Sequence, residues 1–238
     1  MAEHLEPPER ATACPFCFPA AVYPGQVLAV SDAFYLLAPL GQIREGFLAV
    51  MTHTCGDVPR RMRCMADLDP GAFGQLAAFN DMVSAFYRHA YDDGALFYEN
   101  GRGGGTVSRH PVGGFGFHPH VCALPGDYDL HPYLAARFTA FEVRDLDDVR
   151  ARIGRNPYLY VEPAGGVARV YVGEGVDGRD LLLRTSLKDV LSDNYPELTG
   201  GHWRTTPGLD EMWSTIEKFE WWYSSRYVDA AVRLRAQS

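Results

Sequence analysis

A chain of 238 residues that is 47% hydrophobic can bury one substantial core or two small ones. With 22 Lys and Arg against 30 Asp and Glu, the formal charge of −8 argues against a general nucleic-acid coat, yet leaves room for a nucleotide, which needs only a local set of donors. The five cysteines (Cys14, Cys17, Cys55, Cys64 and Cys122) are odd in number and too sparse for a secreted disulfide framework. No apolar run is long enough to span a bilayer, and the acidic, proline-bearing start carries no signal peptide, so a cytoplasmic location is expected.

Residues 1–13 read as a flexible leader. Cys14-Pro15-Phe16-Cys17 has the spacing of a pair of metal ligands. Residues 27–30 and 33–37 read as two short strands joined near Ser31-Asp32, and 47–51 as a central strand with His53 just past its end. Residues 54–65 are irregular and basic, with Arg60, Arg61 and Arg63 in a solvated or phosphate-facing loop. Asp69 can cap a helix that Pro70 opens, and apolar residues from Phe73 to Ala90 recur with helical period until Asp92-Asp93-Gly94 stops it. Residues 95–100 form the next strand. The run Gly103-Gly104-Gly105 follows, where backbone N–H groups can approach a phosphate closely.

Beyond residue 129 a short turn or helix at 130–136 is expected, then a strand at 138–143 and a helix at 145–153. Residues 158–162 and 168–172 form a hairpin whose alternation suggests one wet face. A helix at 181–192 carries Arg184 and Lys188. A last helix at 211–226 carries Met212, Trp213, Ile216, Phe219 and Trp222 or Tyr223 on one stripe, suited to the core or to a homodimer seam. The class is α+β: a mainly antiparallel sheet with helices packed against one side. It forms a single domain over 14–238, with a core at 14–128 and a carboxy-terminal extension at 129–238.

The stretch from Gly116 to Pro125 concentrates the chemistry. In a strand His118, His120 and Cys122 would share one face, and a core has no use for two imidazoles and a thiol in a row. Cys14, Cys17, His53 and His118 would complete a tetrahedral, structural Zn2+ site, with His110 as an alternative fourth ligand. His120 is then left over for catalysis.

Cys-Pro-Phe-Cys at 14–17, Gly-Phe-Leu-Ala-Val leading to His53, Phe97-Tyr98-Glu99-Asn100 before a glycine-rich loop, and His118-Pro119-His120 occur in an order that resembles the histidine-triad superfamily. Within it the likeness is to the galactose-1-phosphate uridylyltransferase branch, and it covers roughly residues 14 to 125. The resemblance implies a HIT-like nucleotide-binding fold in which His120 attacks an α-phosphate and becomes covalently nucleotidylated. It assigns Asn100 to the nucleotide phosphate or ribose, and the strand pair at 27–37 to one wall of the nucleoside pocket. Gly103, Gly104, Gly105, Ser108 and Arg109 are candidate phosphate contacts. Arg184, Lys188 and Arg204 are candidates for closing over the substrate from the extension. Cys122 departs from the pattern, standing where the triad branch has histidine and the uridylyltransferase branch glutamine; a thiol is a weaker donor than either. The expected activity is nucleotidyl transfer, or hydrolysis or phosphorolysis of a nucleotide or nucleotide sugar, with His120 and Cys122 at the catalytic centre. Against it stand a non-catalytic, zinc-stabilised nucleotide-binding protein and an enzyme repurposed for a non-nucleotide substrate.

Overall fold

The structure, a computed structural model, describes residues 25–53, 64–101, 108–109, 115–116, 118–154, 156–198 and 205–235; side chains are described for all of these except 108–109, 115–116, 146–147 and 227–235. The hairpin expected at the start is present as β1 (Val27–Val30) and β2 (Phe34–Leu37). Its turn is tied by Ser31 N donating to Phe34 O at 2.8 Å and Phe34 N donating to Ser31 Oγ at 3.2 Å. β3 (Leu48–Thr52) follows, then a 3-10 turn at Met65–Asp67 and α1 (Pro70–Ala90). Pro70 opens α1, where its missing N–H costs nothing, but the Asp69 side chain makes no capping bond. β4 (Ala95–Gly101), the two-residue ribbon β5 (Ser108–Arg109) and β6 (Phe115–Gly116), and β7 (His120–Pro125) complete the first half. The second half supplies α2 (His131–Ala135), β8 (Thr139–Glu142), α3 (Leu146–Ile153), β9 (Tyr158–Glu162), β10 (Arg169–Val172), α4 (Gly175–Arg184), α5 (Leu187–Asn194) and α6 (Leu209–Arg235).

Eight strands form one sheet in the order β1-β2-β3-β7-β4-β9-β10-β8, and every pairing in it is antiparallel. The α+β architecture with an antiparallel sheet is as expected. The placement of the helices is not, because they cover both faces. Phe97 of β4, Val121 and Ala123 of β7 and Tyr158 and Tyr160 of β9 pack in one cluster with Phe79 and Phe86 of α1, Val149 of α3 and Phe219 of α6. Leu96 and Tyr98 of β4 and Leu159 and Val161 of β9 pack on the other side with Leu134 of α2, Leu182 of α4 and Leu187 and Leu191 of α5. The wet face expected of the 158–172 hairpin is therefore covered: Tyr158 through Val161 are all buried. A central strand apolar on both faces reads as a continuous run, and its period says little about which side is open.

The single helix expected at 181–192 is two. Thr185 and Ser186 separate α4 from α5, and Ser186 Oγ accepts from Asp189 N at 3.3 Å to cap the second. On α6 the stripe Met212, Ile216, Phe219 and Trp222 is buried, while Trp213 lies off it, 47% exposed. Among the described residues, no helix is long and apolar enough to cross a membrane.

Candidate functional site

Register places the chemistry. β3 and β7 pair Met51 with His120 and Ala49 with Cys122, and β7 and β4 pair Cys122 with Tyr98. With two-residue alternation, His120, Cys122, Tyr98, Met51 and Tyr35 share one face of the sheet, opposite the face that α1 covers. The Tyr35 hydroxyl donates to Met51 Sδ at 3.6 Å on that face.

His118 is not part of this alternation, because β7 begins at His120. Thr52 N donates to Pro119 O at 3.1 Å, and His118 Nδ1, in a buried ring, donates to Thr52 O at 3.0 Å. His53 lies at the same end of β3, with its Nε2 donating to Phe34 O at 2.9 Å. The two histidines thus gather at one strand end, as expected, but the zinc expectation is corrected. Among the described residues, no group of three or more histidine, cysteine, aspartate or glutamate side chains could hold a metal ion. Cys14, Cys17 and the alternative ligand His110 lie outside the described residues.

His120 is partly buried, and its Nδ1 donates to His118 O at 2.8 Å. A carbonyl can only accept, so the neutral ring carries its proton on Nδ1 and its lone pair on Nε2. Burial lowers its pKa from the ordinary 6.5, outweighing the His118 carbonyl, which raises it. The result is a neutral imidazole of fixed tautomer, competent as a nucleophile or a general base.

Cys122 is also partly buried, and its thiol pKa is pushed up to about 12, chiefly by burial, so it stays protonated at neutral pH. Tyr98 is 3% exposed, and its hydroxyl has no hydrogen-bond partner. It lies close enough to Cys122 for each to influence the other's protonation, although the geometry falls short of a hydrogen bond. Lys188, half-buried on α5, donates from Nζ to Gly41 O and sits 5.4 Å over the Phe47 ring. Burial lowers its pKa, with Cys122 acting in the opposite sense.

The other sequence-derived residues divide. Asn100 lies on the same face as Tyr98, but its amide is engaged by the chain: Nδ2 donates to Thr185 O at 2.7 Å and Oδ1 accepts from Leu187 N at 3.4 Å. Arg184 is exposed in the last turn of α4. Ser108 and Arg109 are described in backbone only, paired with Gly116 and Phe115. Gly103, Gly104, Gly105, Arg60, Arg61, Arg63 and Arg204 lie outside the described residues. Sequence reasoning gave Tyr98 no part of its own. Its signal was the alternation of 95–100, which sends Tyr98 and Asn100 to one face and Glu99 to the other. A groove lined by Arg137, Phe138, Thr139 and Glu174 lies at the far edge strand, β8, away from His120; in it the Thr139 hydroxyl donates to Glu174 at 2.5 Å.

No protein-family model matches the chain, and no curated protein matches it.

Proposed function

We propose that the chain transfers or hydrolyses a nucleoside monophosphate group, with His120 as the covalent carrier. The observation that supports this reading is the 2.8 Å bond from His120 Nδ1 to His118 O, which leaves the lone pair on Nε2. In the first step that lone pair attacks the α-phosphorus in line. An N–P bond forms, and the P–O bond to the leaving phosphate or sugar phosphate breaks with its electron pair on oxygen. The Nδ1 proton stays in place, and the positive charge on the ring is held against the His118 carbonyl. In the second step water, phosphate or a sugar phosphate attacks phosphorus, and the N–P electron pair returns to Nε2.

Incubation with a panel of nucleoside triphosphates, dinucleoside polyphosphates and nucleotide sugars, followed by intact-protein mass measurement after an acid-free quench, tests the proposal. A gain of one nucleoside monophosphate in the wild type and none in His120→Ala is expected. A second reading, a nucleotide-binding protein without turnover, is favoured by the protonated Cys122 thiol and by the engagement of Asn100 with the backbone. Binding of a panel member with neither adduct nor product would select it.

A further inference from the structure

We propose that the outward face of α6 is a dimer seam, on which a second copy of the chain docks with its own α6 antiparallel. The face lies opposite the buried stripe of Met212, Ile216, Phe219 and Trp222. Asp210, Trp213, Glu217, Trp221 and Ser224 recur along it with helical spacing, and all are exposed. Trp213 is 47% exposed on the flank near Gly25, and Trp221 is 66% exposed on the flank where His89 of α1 stacks at 5.5 Å. One exposed indole is ordinary, but two in one helical register form an apolar strip that calls for a cover. Beyond Trp222 the helix outruns the core. Tyr223, Ser224, Ser225 and Arg226 follow one another at about 100° around the axis and so sample every direction, and all are exposed. Yet α6 continues to Arg235. Helical turns that pack on nothing are marginal in water, because most helical stability comes from burying a face.

Charge selects the occupant. From Leu209 to Trp222 the helix carries Asp210, Glu211, Glu217 and Glu220 against Lys218, which is already paired with Glu45. From Tyr223 to Arg235 it carries Arg226, Arg233 and Arg235 against Asp229. A parallel copy would set like charge on like. An antiparallel copy sets each acidic half on a basic half, and does so twice because the contact is two-fold. With the axis between Trp222 and Tyr223, Asp210 lies opposite the partner's Arg235, Trp213 opposite the partner's Val232 and Trp221 opposite the partner's Ser224. Each indole then meets a smaller residue, as interdigitating layers require. At 27 residues, roughly 40 Å, α6 is long enough to carry such a seam.

Sedimentation velocity of the full chain over about 1–100 µM tests the seam. The wild type should sediment as a dimer. Trp221→Glu, at a largely exposed position, should weaken dimerisation about 30-fold or more, the effect of losing a central aromatic anchor. Asp210→Arg and Arg235→Asp should each weaken it about 5- to 30-fold at low salt, since each acts in two equivalent contacts. The double variant Asp210→Arg, Arg235→Asp should recover the wild-type dimer, because an antiparallel pairing exchanges these two positions. That recovery also shows that the reversed charges leave the fold intact. A wild type that stays monomeric at about 100 µM overturns the proposal. So does a dimer indifferent to Trp221→Glu, or one weakened by both charge reversals and not restored by their combination. A monomeric wild type whose tryptophan fluorescence shifts on phosphatidylcholine–phosphatidylserine vesicles would give the strip to a lipid surface and likewise overturn the seam.

Discussion

At His120 two effects act together: the bond to His118 O selects the tautomer, and burial disfavours the imidazolium. The ring is therefore neutral at pH 7. As pH falls it takes up a proton at a pKa below 6.5, and the Nε2 lone pair is lost. Single-turnover adduct formation should fall on an acid limb with its midpoint under 6.5, and a midpoint above that value would contradict the assignment. Stability should move the same way. The unfolded chain protonates His120 first, so this contribution is present above pH 6.5 and is lost as pH falls toward the folded-state pKa. At Cys122 the sign is reversed. With a pKa near 12, the thiol should resist iodoacetamide at pH 8, and peptide mapping that finds it alkylated as fast as a free cysteine would refute the protonated state. His120 was legible in the sequence because two imidazoles in an apolar run have no structural use. The separate role of His118 was not, because a strict alternation through Pro119 assumes a strand that in fact begins one residue later. Tyr98 was illegible for a different reason: a tyrosine in a buried strand reads as core, and only coordinates reveal that its hydroxyl lacks a partner.

Among the elements, the junction of α4 and α5 matters most to the site. The apolar residues from Leu181 to Leu191 keep helical spacing across Thr185 and Ser186, so periodicity alone reads one helix. The break was nevertheless written in Ser186-Leu187-Lys188-Asp189, where a serine precedes an acidic residue by three positions, the signature of a helix start. Asn100 holds that break against β4 from both sides, accepting from Leu187 N and donating to Thr185 O. Asn100→Ala should cost about 1–3 kcal/mol, the penalty for leaving buried backbone groups unpaired. Ser186→Ala should cost about 0.5–2 kcal/mol as a lost cap. Urea melts measure both. A melt unchanged by Asn100→Ala would show that the junction is held elsewhere.

At the scale of the molecule, the division into a core at 14–128 and an extension at 129–238 does not follow the hydrogen bonding. β4, from the first half, pairs with β7 on one edge and with β9, from the second half, on the other. On the α1 side the halves are also joined through polar groups. Glu99, 3% exposed, accepts from Met65 N at 2.7 Å and from the Tyr158 hydroxyl at 2.6 Å. Arg150 of α3 donates from Nε to Ala66 O at 2.7 Å and from Nη2 to Leu68 O, with its guanidinium 5.5 Å from the Phe73 ring. Segment 64–69 is thus gripped by Glu99, 34 positions away, and by Arg150, 84 and 82 positions from Ala66 and Leu68, long-range pairings that no local pattern encodes. We therefore predict one cooperative unfolding transition for both halves. Cys64, fully buried in the first half, reports by its reactivity toward a thiol reagent, and Trp213, Trp221 and Trp222 on α6 report the second half by fluorescence. The two probes should share a urea midpoint. Glu99→Ala removes the common acceptor and leaves Met65 N–H and the Tyr158 O–H, which still accepts from Ala66 N, buried without an acceptor, at a cost of about 2–5 kcal/mol. If the halves are one unit, that substitution shifts both midpoints by the same amount. Cys64 reacting at low urea while the fluorescence transition stays put would show instead that the second half stands without the first.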